Sequence, residues 1–390
     1  ELAAGSVIAV EGNDSYGINL VNTPMMTGGL TGNMTTDGAI NITGDNSYGV
    51  SVGADVTGNL NNSGTIDVLG ENSVGYSISG DVQGGFVNSG ALRSTAYRFT
   101  SRPNFSATGV GRDDLGVEDL LQVGSSIEVL GDVSGGIHLA RTTEVLLDAD
   151  DEPVLDDDGN EIIIVTGVST ITHLGSSPAV IIAGDGTILD IGRIGVITDP
   201  TDEDYDEDLQ YAFYNQGSIS AQGIYDDFDA TALSVSNATL EGGINNSGRM
   251  TVSTFVSPTE LDDFRGTGLA RVIVLGDQAV ADQINNSGLI LASASEAVDA
   301  VYNDPANPLA PRNVTAIAID IGANATTNSL TNSGTISAGI IAREGRAVAI
   351  QDLSGTLVSI DNTGVIAAVA NNSDSRDLED TDFTLIAIDV

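Results

Sequence analysis

Short bursts of alternating apolar and polar residues run the length of this 390-residue chain. Ile66 and Val68 flank Asp67, and Ile317, Ile319 and Ile321 keep the same period of two. That period marks β-strands with one side in a core, and no long stretch carries the i, i+3, i+4 spacing of an amphipathic helix. Turn-forming strings punctuate the bursts. Asn-Asn-Ser-Gly-Thr-Ile (61–66) returns at 87–92, 214–219, 245–250, 285–290, 331–336 and 361–366, with a weaker copy, Thr-Thr-Asp-Gly-Ala-Ile, at 35–40. A second string, Asn46-Ser47-Tyr48-Gly49-Val50, has relatives at 13–18 and 72–76 and gives way later to runs such as Ala316-Ile317-Ala318-Ile319.

The repeat glycines are 26 residues apart from Gly38 to Gly64 and again from Gly64 to Gly90, and later spacings are 31, 40, 46 and 30. A fixed minimum with variable additions predicts one stacking unit carrying insertions. The expected fold is all-β: a right-handed parallel β-helix (β-solenoid) with protruding acidic loops and a β-hairpin. The right hand follows the crossover preference of parallel strands. Counting Gly5-Ser6-Val7-Ile8 and Gly124-Ser125-Ser126-Ile127 as variant corners gives about 11–12 coils and a rod of roughly 55 Å at ~4.8 Å per coil. A single coil cannot bury its inward side chains, so residues 1–390 are expected to form one elongated unit.

Stacking explains the string. Asn62, Asn88, Asn215, Asn246, Asn286, Asn332 and Asn362 share one register, and an amide can both donate and accept along a column. Gly64, Gly90, Gly217, Gly248, Gly288, Gly334 and Gly364 follow two residues later and are expected to supply a positive φ at a corner. The residue after the inward isoleucine should form an outward column running Ala9, Asn41, Asp67, Arg93, Glu128, Thr172, Ser220, Thr251, Leu291, Ser337, Ala367. It would set Arg93 between Asp67 and Glu128.

Composition narrows the chemistry. Aromatic residues are 4% of the chain and tryptophan is absent, so the core must be aliphatic. The net charge is −42, and all 13 basic residues are arginine, which argues against nucleic-acid binding through phosphates. Cysteine is absent, excluding disulfides and thiolate metal sites. No apolar run reaches the 18 residues of a membrane-spanning helix. Excursions from the coils are expected near 93–104, 141–162, 199–210, 225–229, 254–265, 299–312 and 371–382. Acidic stretches in or near them hold 31 of the 55 carboxylates, so the charge belongs to the loops, where recognition residues usually sit. Segment 144–161 reads as a protruding hairpin with a turn at Asp158-Gly159 or Gly159-Asn160. Asp156, Asp158, Asp204 and Asp206 are weak calcium candidates; the helix-loop-helix calcium template fails, and no other cofactor is expected.

No catalytic motif stands out. His173 falls where Val68 sits in the repeat, hence inward, and His138 matches Ser77; both are read as structural. No Gly-x-Ser-x-Gly elbow occurs, and Gly184-Asp185-Gly186-Thr187 lacks the lysine of a phosphate loop. The alternative function is a β-helical polysaccharide-active enzyme, a lyase or glycoside hydrolase, with a site built by loops.

Repeats of the form Asn-Ser-Gly-Thr-Ile followed by Ala-Ile-x-Ile resemble the passenger domains of bacterial autotransporters, the type V secreted proteins. The resemblance covers nearly the whole chain and implies a right-handed β-helix exported to the extracellular or outer-membrane surface of a Gram-negative bacterium. It also implies continuation into a longer passenger and a translocator barrel. Passengers on this scaffold include adhesins, proteases and esterases. The expectation is a non-catalytic adhesin, stalk or surface-assembly component, with a host or cell-surface ligand as partner. Residues 6–10 and 385–390 both read as strands without caps, so either covalent continuation or head-to-tail self-association is expected to cover them.

Overall fold

The computed structural model describes residues 1–22, 28–102, 115–148, 152–156, 159–197, 200–202, 204–257, 267–296, 313–372 and 382–390. Nearly all the described secondary structure is β, and the chain winds as a parallel β-helix with three long faces. Face one runs from Val7–Glu11 to Val365–Asn372 and face two from Tyr16–Leu20 to Asp382–Asp389, each with ten strands. Face three has nine strands, from Met34–Thr36 to Ser359–Asn362. Leu189–Ile191, Ala238–Leu240 and Ala279–Ala281 add a narrow fourth edge between faces two and three.

The alternation in the sequence becomes stacked columns. On face one Ile8, Ile40, Ile66, Leu92, Ile171, Ile219, Met250, Ile290, Ile336 and Ile366 follow one another coil by coil. From Ile40 to Ile336 they are fully buried. Burial of an aliphatic side chain contributes roughly 1.5–3 kcal/mol, and no coil could gain it without its neighbours. The second string and the later Ala-Ile runs occupy the same place on face two. There Gly49, Ala232, Ala318 and Ala349 stand at a buried position that the ladder pairing passes over; a Cβ on Gly49 would strike the Ile66 side chain and the Gly75 carbonyl.

Among the described residues ten coils, not 11–12, make the rod, spanning about 43 Å from first to last at ~4.8 Å per coil. The surplus came from Gly124-Ser125-Ser126-Ile127. This string imitates a corner, but Ile127–Val129 pairs with Tyr76–Ile78 on face two. Glu128 therefore leaves the outward column, which passes from Asp67 through Arg93 to Thr172. Glu128 instead accepts a hydrogen bond from Ser77 Oγ (3.0 Å), and burial holds its pKa above the usual carboxylate value, partly offset by that bond.

The asparagine column is a real ladder on face three. Nδ2 of each residue donates to Oδ1 of the next: Asn62 to Asn88 (2.6 Å), then Asn215 to Asn246, Asn246 to Asn286, Asn286 to Asn332 and Asn332 to Asn362 (2.7 Å each). Leu139 interrupts the register between Asn88 and Asn215, and Asn88 donates instead to Ser169 Oγ (2.6 Å). Asn286→Ala is expected to cost about 1–3 kcal/mol, because Asn246 loses its buried acceptor. The exposed terminal rung Asn362→Ala should cost far less. Equal shifts in the urea midpoints of the two variants would refute a buried ladder.

The corner glycines serve a different purpose from the one expected. None of the seven has a left-handed φ. A Cβ on Gly64 would overlap the Gly38 carbonyl oxygen, and the same holds up the stack to Gly364 over Gly334. Close approach of coil to coil, not turn geometry, excludes a side chain. Left-handed backbone lies in the second string, at Asp14 (φ 55°), Asn46 (φ 53°) and Asn72 (φ 54°).

Strands lengthen along the rod. On face one they hold five residues in Val7–Glu11 and eight in Val365–Asn372; on face two, five in Tyr16–Leu20 and eight in Asp382–Asp389. By the ninth coil a single residue, Arg343, separates Thr335–Ala342 on face one from Glu344–Asp352 on face two.

Candidate functional site

The excursion after face one of the fourth coil begins beyond Thr95, since residues 93–95 are strand, and reaches Ser126 rather than ending at 104. Its described part docks onto the rod. Tyr97, Leu115, Leu174, Ile224, Tyr225 and Phe228 form a second apolar cluster outside the main core. The Tyr97 and Tyr225 ring centroids are 4.3 Å apart, and those of Tyr97 and Phe228 5.9 Å. Tyr225 Oη accepts from Phe99 N (3.0 Å), and Tyr97 Oη donates to Gln122 Oε1 (2.9 Å). Arg102 pairs with the buried Asp226 (2.6 Å) and lies over the Phe255 ring at 4.4 Å. Two excursions expected to be separate, at 93–104 and 225–229, thus close into one clamp on face one.

The clamp forms the wall of a groove of about 260 Å³. Asn41, Asp67 and Arg93 from three successive coils line it along the outward column, with Leu69 and Thr95 beside them. Tyr97, Arg98 and Thr100 line it from the excursion. Strand alternation turns residues 67, 69 and 93 outward because Ile66, Val68 and Leu92 are core. Arg98 lies 3.6 Å from Asp119 and 5.0 Å from the Phe99 ring centroid. Arg93 has no ion pair or hydrogen bond among the described residues, although Asp67 is its register neighbour. An exposed, uncommitted guanidinium is notable in a chain of net charge −42.

The other candidates lie apart from this groove. Asp156 accepts from Asn160 N (2.9 Å) in a turn of the hairpin excursion, and Asp206 accepts from Asp208 N (2.9 Å) at the start of a short 3-10 turn. Asp204 N donates to Asp202 Oδ1 (3.0 Å), and Asp158 lies outside the described residues. Among the described residues no three carboxylate or imidazole groups gather as metal ligands would. The excursion at 141–162 does form an antiparallel ribbon, Arg141–Val145 against Ile163–Val168. The chain doubles back within it: Leu146, Val154 and Ile162 exchange backbone bonds in a ring. Residues 225–226, 254–256 and 371–372 are strand, and 258–266, 299–312 and 373–381 lie outside the described residues.

His173 is fully buried, with Nδ1 3.2 Å from Ser126 Oγ. The spacing suits a base and a hydroxyl nucleophile, but both side chains are sealed in the rod. Burial depresses the His173 pKa to about 4, partly offset by a backbone hydrogen bond at Ser177. His138 does not align with Ser77: it pairs with Val87 and Tyr214 on face three, stacks on the Tyr214 ring at 5.2 Å and bonds Gln216 Oε1 at 2.9 Å.

Sequence reasoning missed two other arrangements. Asp55, Asp81 and Asp132 each accept, through Oδ1, the backbone N–H of the aspartate one coil on, ending at Asp190. Asp227 and Asp229 bond Ser257 N and Leu269 N (2.9 Å each), tying down the excursion of the next coil. Many loop carboxylates therefore act as backbone acceptors within the protein. The aromatic clamp did leave a signal: Tyr97 and Phe99 fall within one expected excursion and Tyr225 and Phe228 within another, in an aromatic-poor chain.

No family model, curated protein or solved structure matches this chain.

Proposed function

We propose that this protein is a rigid surface-display rod, a non-catalytic adhesin or stalk of the autotransporter-passenger kind at a bacterial cell surface. The observation that carries this reading is the clamp: excursions from two coils dock through aromatic residues onto one exposed face and frame a groove there. Stacked coils fix such loops in place, and a scaffold of this kind holds a recognition surface well away from its base. No described helix is long and apolar enough to cross a membrane.

The test is adhesion. Beads coated with the purified chain should bind glycan- or cell-coated surfaces more strongly than beads coated with a Tyr225→Ala, Phe228→Ala variant, whose clamp loses its anchors. Indistinguishable binding by the two bead types would count against a display role for this face.

The groove also supports a second reading, polysaccharide cleavage, because Asp67 and Arg93 are register neighbours on an exposed sheet. Hydrolysis uses two carboxyl groups, and among the described residues Asp67 is the one carboxylate in the lining. A lyase would instead release an unsaturated sugar from a uronate polymer. Ultraviolet absorbance of that product would favour this reading over adhesion.

A further inference from the structure

We infer that the groove on face one binds a sugar residue carrying a carboxylate or sulfate group, with Arg93 as the anion ligand. The inference rests on the display reading and names the class of ligand displayed to. Three features converge. Arg93 projects outward without a partner among the described residues, and Arg98 lines the same groove. A guanidinium offers planar, paired donors that match a carboxylate or sulfate edge. In a protein of net charge −42, most anions are repelled from the surface at long range, so two arginines in one concavity form a local exception.

The remainder of the lining suits a sugar better than a bare inorganic anion. Asn41 and Thr100, both exposed, can exchange hydrogen bonds with hydroxyl groups, and Leu69, 44% exposed, offers an apolar patch for a ring face. Asp67 can accept from a hydroxyl, and its charge opposes a small, dense anion such as phosphate. The volume, about 260 Å³, lies just below the usual range for small-molecule pockets, so it fits one sugar residue with its neighbours in the chain lying outside.

Calorimetric titration of the full chain would use digalacturonate, sialyllactose, a sulfated lactosamine, neutral lactose and inorganic phosphate as probes. At least one acidic sugar should bind, and the carboxylate and sulfate arms identify which anion is taken. Lactose and phosphate should bind at least tenfold more weakly. Arg93→Ala should reduce affinity for the acidic sugar at least tenfold, and Arg93→Lys should fall between. Arg93 is exposed and makes no bond among the described residues, so an unchanged unfolding midpoint for both variants verifies that the fold is retained. Equal affinity for neutral sugar, no affinity for any acidic sugar, or full affinity in Arg93→Ala would each overturn the inference. Bead adhesion without acidic-sugar binding would overturn this inference alone. Acidic-sugar binding without bead adhesion would overturn the display reading alone.

Discussion

Arg343→Ala is expected to destabilise the carboxy-terminal coils by about 1.5–3 kcal/mol, because a buried carboxylate loses the hydrogen bonds of the guanidinium while keeping the backbone N–H of residue 343. Glu296 ends a face-one strand in the eighth coil, and its side chain is fully buried. Arg343 satisfies it from the ninth-coil corner through the backbone N–H (3.1 Å), Nε (3.0 Å) and a short contact from Nη2. Replacing both residues with leucine should be much milder, since no charge is left unpaired. Because each coil contacts only its neighbours, the damage should be local. Hydrogen exchange should accelerate in 289–296 and 335–342 and stay unchanged in the first three coils. A loss below about 1 kcal/mol, the value of an exposed pair, would show that water reaches Glu296.

Acid should weaken the rod from about pH 6.5 downward, through one buried imidazole. His173 has a folded pKa of about 4 against an ordinary 6.5. Above pH 6.5 the imidazole is neutral in both states and contributes no pH dependence. Below it the unfolded chain takes a proton that the folded chain refuses, so stability falls by about 1.4 kcal/mol per pH unit until pH reaches about 4. The total loss is about 3 kcal/mol. Urea midpoints of the native chain and of His173→Leu, each measured at pH 7 and pH 4.5, isolate this contribution, because any packing cost of leucine is the same at both pH values. An equally large acid shift in the variant would assign the effect to other groups.

The fold was legible because its rule is local and repeated. An inward isoleucine followed the same corner string in most coils, and parallel stacking turned that coincidence into columns. The fourth coil was not legible, for the same reason. Gly124-Ser125-Ser126-Ile127 spells a corner in the wrong place, and only pairing with Tyr76–Ile78 reveals the difference. The glycines were located correctly but explained wrongly: the sequence shows that no side chain is tolerated, not whether φ or a neighbouring carbonyl forbids it. Of the groove, the neighbours Asn41, Asp67 and Arg93 could be read from register. The wall could not, because Tyr97 and Arg98 reach it through an excursion whose docking depends on Tyr225 and Phe228, more than a hundred residues away. Glu296 takes an inward position where the preceding coil has Val256, so periodicity pointed to an apolar residue there and gave no hint of an ion pair with Arg343.

The lengthening of the strands grades the rod along its axis. Neighbouring coils share five paired residues between Val7–Glu11 and Ala39–Thr43 but eight between Thr335–Ala342 and Val365–Asn372. Because each coil contacts only its neighbours, the later coils are laced together by longer ladders, and local opening costs more there than among the first coils. The taper is a gradient of cohesion along the rod.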